Sequence, residues 1–327
     1  NNYILRGRIV VFGEDSATAG RHTWSRALNL GTSRAVYIED NTIEYTGDPG
    51  SFGHLNQIDG NWGCRYVARF NTMITGRFEA HSLQGENQRG CMLWEVYNNT
   101  MSGGGLYRPF LMRGGTGLIF HNTLDANYTL NEIDIDNVRS HQNDVPFPTW
   151  EMCAGTSFVD ENSSGGEGYL CRDQIGASTD ASLWNYSSPA PAQQMVPAYI
   201  WRNTNPSELS VVLNCVGTAA QCTRQATKHI VESRDFYAHR SSFNGTAGVG
   251  EGPLASRPST CTTGVAYWAT DQGEWNGKNP GPDGQLYKCT ATNTWTLYYT
   301  PYTYPHPLQG LSGGTRPAAP TNLRILP

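Results

Sequence analysis

Charge is scarce in this sequence, and lysine is almost absent. Charged residues make up 16% of the 327 residues, and only three of the 23 basic residues are lysines. An average globular domain carries roughly 25% charged residues. Helical bundles and coiled coils depend on Ala, Glu, Lys and Leu, so this composition disfavours both. The net charge of −5 gives the chain no general attraction to nucleic acid or anionic lipid, so we expect neither as a partner.

Long apolar runs are missing as well, and so are most of the standard functional signatures. No stretch approaches the roughly 18 apolar residues of a membrane span, and we expect none. The sequence has no phosphate-binding loop, no zinc-protease HExxH and no EF-hand loop. Its eight cysteines include no CxxC pair, which disfavours a zinc knuckle. An even set of cysteines instead favours disulfides, and therefore a protein that is secreted or at the cell surface.

What the sequence does contain is a repeat. An Asn-Thr pair follows a segment of alternating apolar residues five times, and the first four copies lie 23 to 30 residues apart. Such alternation is typical of strands. Because stacked strands are about 4.8 Å apart, we expect the asparagines to form a structural ladder of side-chain amides. The repeated asparagines are Asn41, Asn71, Asn99, Asn122 and Asn203.

This repeat predicts an all-β solenoid, and it resembles a known superfamily. The Asn-Thr coils, the segment GYLCRDQIG at 168–176 and the tail YYTPYTYPHPL at 298–308 look like secreted bacterial right-handed parallel β-helix proteins of the pectate-lyase-like superfamily. The resemblance runs over most of residues 1–308. It implies the fold and not the reaction, because that superfamily includes polysaccharide lyases, glycoside hydrolases, phage tailspikes and adhesins.

Composition changes along the chain predict three regions. We expect residues 1–254 to form the parallel β-helix, with long inserted loops at about 140–195. Residues 255–308 are rich in aromatics and are expected to form a disulfide-pinned C-terminal cap packed on the solenoid. Residues 309–327 read as a linker, and their PAAPTNLRI resembles the start of a fibronectin type III domain. That resemblance, and a start at Asn1 without Met, predict a longer parent chain with further domains.

The cysteine positions predict four disulfides. Cys64 lies seven residues before Asn71, and Cys91 lies eight before Asn99, so the two cysteines are nearly in register on adjacent coils. That places them within the ~4.4–6.8 Å Cα separation of a disulfide, with a pair of buried free thiols as the alternative. The other expected pairs close loops: Cys153–Cys171, Cys215–Cys222 and Cys261–Cys289.

A set of titratable residues lies just upstream of the asparagine strands of the second and third coils. Glu79 and His81 are two residues apart, so on a strand they point to the same side, and stacking would bring His54 or Asp59 beside them. A carboxylate beside a histidine suits general acid–base chemistry near neutral pH. Satisfied polar residues on a solvated strand face are the alternative. Three arginines are expected to bind an anionic sugar and to stabilise charge on a uronate: Arg65, Arg89 and Arg113.

Two further polar groups have a structural and a functional interpretation. Glu132, Asp134 and Asp136 share one strand face, where they form a solvated acidic surface, bind Ca²⁺ through Asp134 and Asp136, or pair with an arginine such as Arg139. Glu39 and Arg69 fall on stacked strands and are expected to form a solvent-exposed ion pair, worth roughly 0–1 kcal/mol.

These features predict an exported protein that acts on an acidic polysaccharide along the side of the β-helix. As an enzyme it would be a lyase or a hydrolase, with His81 or His54 as base or acid and Glu79 and Asp59 as partner carboxylates or cation ligands. The alternative is a non-catalytic carbohydrate-binding, adhesive or surface-structural module. An enzyme needs these side chains to converge in a groove, whereas an adhesive module leaves them dispersed or mutually neutralised.

Overall fold

The structure is a computed structural model that describes eleven parts of the chain. These are residues 2–14, 20–45, 56–82, 89–103, 108–125, 128, 132–136, 172–180, 193–213, 230–309 and 323–326. His54 and the cysteines of two expected pairs, Cys153–Cys171 and Cys215–Cys222, lie outside the described residues. Across the described residues, no helix is long and apolar enough to span a membrane.

The described chain is all-β, with three long parallel sheets and one smaller sheet, and the strands are numbered here in chain order. Sheet A contains β1 (Tyr3–Leu5), β4 (Thr42–Glu44), β7 (Thr72–Ile74), β10 (Thr100–Ser102), β13 (Thr123–Leu124), β16 (Thr204–Asn205) and the antiparallel β17 (Ser207–Glu208). Sheet B contains β2 (Arg8–Phe12), β5 (Asn56–Asn61), β8 (Arg77–Ala80), β11 (Phe110–Met112), β14 (Glu132–Ile135), β18 (Ser210–Leu213) and the antiparallel β24 (Leu323–Leu326).

Sheet C contains β3 (Val36–Glu39), β6 (Arg65–Arg69), β9 (Leu93–Tyr97), β12 (Thr116–Phe120), β15 (Ala198–Trp201) and β19 (Phe236–Ala238). Sheet D contains β20 (Val249–Gly252), β21 (Ala266–Ala269), β22 (Gln285–Ala291) and β23 (Thr294–Tyr299). The described helical segments are short: α1 (Arg21–Trp24) and a 3₁₀ turn (Leu254–Ser256).

Each repeat of the chain supplies one strand to each long sheet. The strands β6, β7 and β8 enter sheets C, A and B in turn, and β9, β10 and β11 then add beside them in the same order. Successive repeats pair in parallel, with Tyr66 beside Val36 and Trp94 beside Tyr66. Three parallel sheets visited in a fixed order are compatible with a β-helix.

The repeated asparagines form the expected ladder at the corner between sheets C and A. Each side-chain amide donates to the side-chain oxygen of the next, at distances of 2.8–3.1 Å, in the order Asn41, Asn71, Asn99, Asn122, Asn203. The residue before each asparagine has a left-handed backbone with φ of 53–59°, which turns the chain sharply: Asp40, Phe70, Asn98, His121 and Arg202. At such a corner the strands cannot pair along their full length, and the amides satisfy the backbone groups left over.

Apolar side chains fill the space between the three sheets. The residue two after each of the first four asparagines is buried, as the repeat predicts: Ile43, Met73, Met101 and Leu124. Sheet B adds its own inward row, which consists of Ile58, Phe78, Phe110 and Ile133. Burial of each such side chain stabilises the fold by roughly 1.5–3 kcal/mol before the entropy of ordering is counted.

The outer face of sheet C is covered by the C-terminal aromatic segment. Tyr97, Phe120 and Trp201 stack along this face, with ring centroids 4.4–4.6 Å apart. Side chains from sheet D and its following segment pack against them in a second buried cluster, with Trp268, Trp275, Tyr299 and Tyr304 among its members. These contacts are what a cap on the side of the stack would make, and the domain boundaries drawn from the sequence remain predictions.

This cover makes one expectation wrong, because the Glu39–Arg69 pair is buried. Arg69 is 0% exposed. Its guanidinium donates to Glu39 Oε2 at 2.7 Å and to the Thr303 carbonyl at 2.8 Å. The residues that exclude water come from more than 230 positions further along the chain. An ion pair so enclosed is strongly destabilising to break, since it would leave an uncompensated buried charge.

The same buried face contains a carboxylate, Glu95, whose oxygens form no salt bridge with a described residue. Glu95 accepts a hydrogen bond from the Tyr299 hydroxyl at 2.6 Å and from the Gly31 backbone N–H at 2.9 Å. Burial raises the pKa of this carboxyl, and the two hydrogen bonds and the charge of Arg69 oppose that rise.

Two of the four expected disulfides lie in the described chain, and both are present. Cys64–Cys91 joins adjacent repeats with a Cα separation of 4.5 Å, and Cys261–Cys289 lies beside sheet D with a Cα separation of 6.1 Å. The first disulfide packs against Gly60, where a Cβ atom would approach the Cys64 sulfur to 2.4 Å. A side chain at position 60 would therefore collide with the disulfide, and this position requires glycine.

Part of the segment expected to be a linker forms a strand. The backbone of β24 (Leu323–Leu326) pairs antiparallel with β2 (Arg8–Phe12) at the edge of sheet B.

Candidate functional site

The candidate site lies on the outer face of sheet B, where two repeats bring two carboxylates together. Asp59 on β5 is directly paired with Glu79 on β8. Their strand neighbours Ile58 and Phe78 point into the core. Because side chains alternate along a strand, both carboxylates point away from the core.

His81 links the two carboxylates. It follows β8 directly and extends the ladder, since its N–H donates to the Gly60 carbonyl at 2.8 Å. Its Nε2 lies 3.1 Å from Asp59 Oδ1 and 3.3 Å from Glu79 Oε1. The expected convergence of Asp59, Glu79 and His81 is therefore present in the structure.

An arginine from the next repeat completes this cluster. Arg113 follows β11, and its N–H donates to the Ala80 carbonyl at 2.9 Å. Its Nη2 contacts Glu79 Oε1 and lies 3.1 Å from both ring nitrogens of His81. Asp59, Glu79, His81 and Arg113 are called the sheet B cluster below.

The partners of His81 favour one arrangement of its ring protons. A guanidinium can only donate, and an ionised carboxylate can only accept. The carboxylate oxygens lie nearest to Nε2, whereas Arg113 Nη2 is equally distant from both ring nitrogens. A ring with its proton on Nε2 directs that proton toward the carboxylates and leaves the Nδ1 lone pair on the side away from them. The carboxylates then orient the imidazole as a partner carboxylate does in many histidine-dependent sites.

A second arginine holds Glu79 from the other side. Arg77 lies two residues before Glu79 on the same strand, and its Nη2 is 2.8 Å from Glu79 Oε2. The Arg77 Nε donates to the side-chain oxygen of Asn56. Neither Arg77 nor Asn56 was among the expected site residues. The spacing of two between Arg77 and Glu79, which puts both side chains on one strand face, was the available signal.

Opposing effects act on the pKa of Asp59. Burial raises it, while the charge and hydrogen bond of His81, followed by the charges of Arg113 and Arg8, lower it and outweigh the burial. The pKa of this carboxyl is therefore below its usual value, and Asp59 is an anion at neutral pH.

Access to the cluster is through the histidine and the arginine. The side chains of Asp59 and Glu79 are 5% and 0% exposed, whereas those of His81 and Arg113 are 16% and 12% exposed. A ligand therefore meets the imidazole and the guanidinium first, with the carboxylates behind them.

The same residues offer a set of cation ligands. Within the described residues, one donor atom each from Asp59, Glu79 and His81 lie within 4.8 Å of one another. Two carboxylates and an imidazole suit a transition metal better than Ca²⁺, which takes six to eight oxygen ligands. The guanidinium of Arg113 lies against Glu79 and His81, so a cation there would have to displace it.

The acidic residues expected to bind Ca²⁺ lie further along sheet B. Asp134 on β14 is two strands from Glu79, because Leu111 on β11 is aligned with both residues. Arg108 Nε forms an ion pair with Asp134 Oδ2. Asp136 follows β14 and is 1% exposed. Both carboxylates are buried, which differs from the solvated acidic face that was the alternative. A metal role for Asp134 and Asp136 stays a prediction.

The three expected substrate arginines lie in three places. Arg113 belongs to the sheet B cluster. Arg89 is 1% exposed, and its Nε and Nη2 donate to the carboxylate of Asp173, with Nη2–Oδ1 at 2.6 Å. Its guanidinium is therefore already paired with a carboxylate 84 residues away in the chain. Arg65 donates to the carbonyls of Leu28 at 2.6 Å and Thr23 at 3.2 Å, at the first corner between sheets B and C.

Comparison of the chain with protein families, with curated proteins and with solved structures finds no match. The functional interpretation therefore rests on the chain's own residues.

Proposed function

We propose that the chain is an exported, right-handed parallel β-helix protein that cleaves an acidic polysaccharide by β-elimination at the sheet B cluster. The observation that carries this proposal is the position of His81, whose ring lies within 3.3 Å of two carboxylates and of an arginine. The two disulfides and the stacked parallel sheets support export and the β-helix.

The proposed step uses the histidine as base. His81 Nδ1 accepts the proton from the sugar carbon next to the uronate carboxylate, and the electron pair of that C–H bond forms a C=C bond. The glycosidic C–O bond breaks, and its oxygen leaves with the bonding pair and is protonated by water. Arg113 is placed to move from the ring nitrogen to the uronate carboxylate, where it stabilises the negative charge of the intermediate. Asp59 holds the imidazolium that forms.

Hydrolysis fits the cluster less well. A glycosidase needs one carboxyl group that stays protonated to donate to the leaving oxygen. Asp59 has a lowered pKa, and Glu79 contacts the guanidiniums of both Arg77 and Arg113. Neither carboxyl is arranged as a proton donor.

A non-catalytic polysaccharide-binding module is the second candidate. It is favoured by the mutual pairing of the charges in the cluster and by the burial of both carboxylates. In that case the ion pairs only stabilise the outer face of sheet B.

The test is incubation of the purified protein with a panel of uronate-containing and neutral polysaccharides, with and without Ca²⁺. Unsaturated ends are read by ultraviolet absorbance and reducing ends by a colour reaction. The central variant is His81→Gln. His239→Gln is the matched control, because His239 also pairs with a carboxylate, Glu208, and its side chain is 12% exposed.

We expect unsaturated ends from the native protein and from His239→Gln, and at least a 100-fold loss in His81→Gln, the usual contribution of a general base. Reducing ends without unsaturation would indicate a hydrolase instead. Binding of polysaccharide without cleavage across the panel would establish the non-catalytic module and refute the lyase.

A further inference from the structure

A second polar site lies at the first corner of the stack. Sheets A and B begin with β1 and β2, but the first strand of sheet C within the described chain is β3, one repeat later. A cavity of about 390 Å³ lies between the end of β2 and the start of β3. Its size is within the ~300–1,000 Å³ range of small-molecule sites.

Three arginines line this cavity. Arg26 and Arg34 are exposed at its rim, and Arg65 is partly buried in its wall. Among the described residues that line the cavity there is no carboxylate. Glu14, from the same corner, accepts from Thr23 through its Oε1 and lies 3.5 Å from His22.

The dipoles of two backbone carbonyl groups stabilise the charge on Arg65. Its Nη1 and Nη2 donate to the carbonyls of Leu28 and Thr23, which orient the guanidinium without neutralising it. Burial, and secondarily the positive charge of Arg26, lowers the pKa of Arg65 to about 10. A bound anion would offset both effects on the pKa of Arg65, because its negative charge stabilises the charged guanidinium.

The remaining wall suits the body of a sugar. Phe12, Val36 and Ala35 give an apolar floor, and Ser33 and Asn29 are exposed polar groups at the rim. Ligand sites combine such an apolar floor with a few placed polar groups. Guanidinium forks match carboxylate and sulfate groups through paired hydrogen bonds.

The cavity and the sheet B cluster lie on adjacent strands of sheet B, β2 and β5. On β2, Val10 is paired with Asp59, and Phe12 lies two residues further along, at the cavity. Neighbouring strands are about 4.8 Å apart, so β2 and β8 are separated by about 10 Å across β5. A glycan chain that lies on His81 and runs across the strands would therefore reach the cavity.

We propose that this cavity is a binding subsite for one anionic sugar unit, whose carboxylate or sulfate is held by Arg26, Arg34 and Arg65. This inference rests on the proposed function for the nature of the polymer. The site itself is separate from the cleavage step, so the two can fail independently.

The test is calorimetric titration of the His81→Gln protein, which removes turnover, at constant ionic strength in chloride. Glucuronate, glucose 6-sulfate and glucose are the ligands, and inorganic sulfate is the control for a bare ion. Arg26→Gln and Arg34→Gln, each introduced singly, remove exposed charges without disturbing the carbonyl contacts of Arg65. Arg240→Gln is the matched control, because Arg240 is 43% exposed and pairs with Glu232 elsewhere.

We expect glucuronate or glucose 6-sulfate to bind more tightly than glucose, and each rim variant to weaken that binding about tenfold, or 1.4 kcal/mol. Arg240→Gln should leave it unchanged. A preference for the carboxylate or the sulfate sugar identifies which anion the polymer carries. Equal binding of glucose, binding of inorganic sulfate alone, no binding at millimolar ligand, or unchanged binding in both rim variants would each overturn the inference. Any of these results leaves the cleavage assay at His81 untouched.

Discussion

The asparagine ladder makes a quantitative prediction about stability, and its central member, Asn99, is the best place to test it. The Asn99 side chain is 1% exposed. Its oxygen accepts from the backbone N–H and the side-chain amide of Asn71, both at 3.0 Å. Its nitrogen donates at 2.9–3.1 Å to three oxygens, on Ala68, Tyr97 and Asn122.

Asn99→Ala removes all five contacts and adds none. A buried polar group left without a partner costs about 1–3 kcal/mol. Water entering the space left by the side chain can satisfy part of the five, so we expect a loss of about 3–5 kcal/mol. In a chain of this size that lowers the unfolding temperature by roughly 10 °C.

The measurement is thermal and urea unfolding followed by circular dichroism, with Thr100→Ala as control. Thr100 is the next residue and its side chain is exposed, so its removal should change stability by less than about 0.5 kcal/mol. Asn41→Ala should be intermediate, because Asn41 is 8% exposed and its oxygen accepts from the exposed Asn2. A loss below 1 kcal/mol in Asn99→Ala, or losses equal at Asn99 and Thr100, would refute the idea that the ladder holds the corner together.

Two other perturbations are predicted to change stability. Replacing both Cys64 and Cys91 with serine removes a disulfide that closes a loop with a sequence separation of 27. The gain in chain entropy of the unfolded state predicts a loss of about 3–4 kcal/mol in the free energy of unfolding, which a thermal melt would detect. A double variant as stable as the native protein would contradict this. Asp59 has a folded pKa below its ordinary 3.8, so its contribution to stability is present above that pH and is lost as pH falls through the folded value. The midpoint urea concentration of unfolding should therefore differ less between pH 3 and pH 5 in Asp59→Asn than in the native protein. An unchanged pH dependence would show that Asp59 is not held as an anion.

Features that repeat with the coil were predictable from the sequence. The spacing of the Asn-Thr pairs predicted the ladder, and the offsets of Cys64 and Cys91 from it predicted their disulfide. The positions of Asp59 and Glu79 followed from the same stacking, because one register fixes every residue of the neighbouring strands. Periodic stacking converts sequence spacing directly into distance.

Features set by distant segments were not predictable. Arg69 was expected in solvent, and it is buried because the carbonyl of Thr303 and the ring of Tyr304 lie over it. Arg89 was expected at the substrate, and Asp173 holds its fork. No local pattern indicates which segment returns to cover a face, since that choice depends on contacts between residues far apart in sequence.

The bond from Asn122 to Asn203 has a consequence for how such a chain can diversify. These two side chains are 81 positions apart, yet they meet at 2.8 Å like the other members of the ladder. Each ladder asparagine pairs with the asparagine of the next repeat whatever the number of residues between them. Additional residues between two corners therefore leave the register of the repeats unchanged. New material can accumulate between Asn122 and Asn203 while the rest of the scaffold keeps its geometry. A graft there would have to leave β14, β15 and Asp173 in place, because these also lie in the interval and contact the neighbouring repeats.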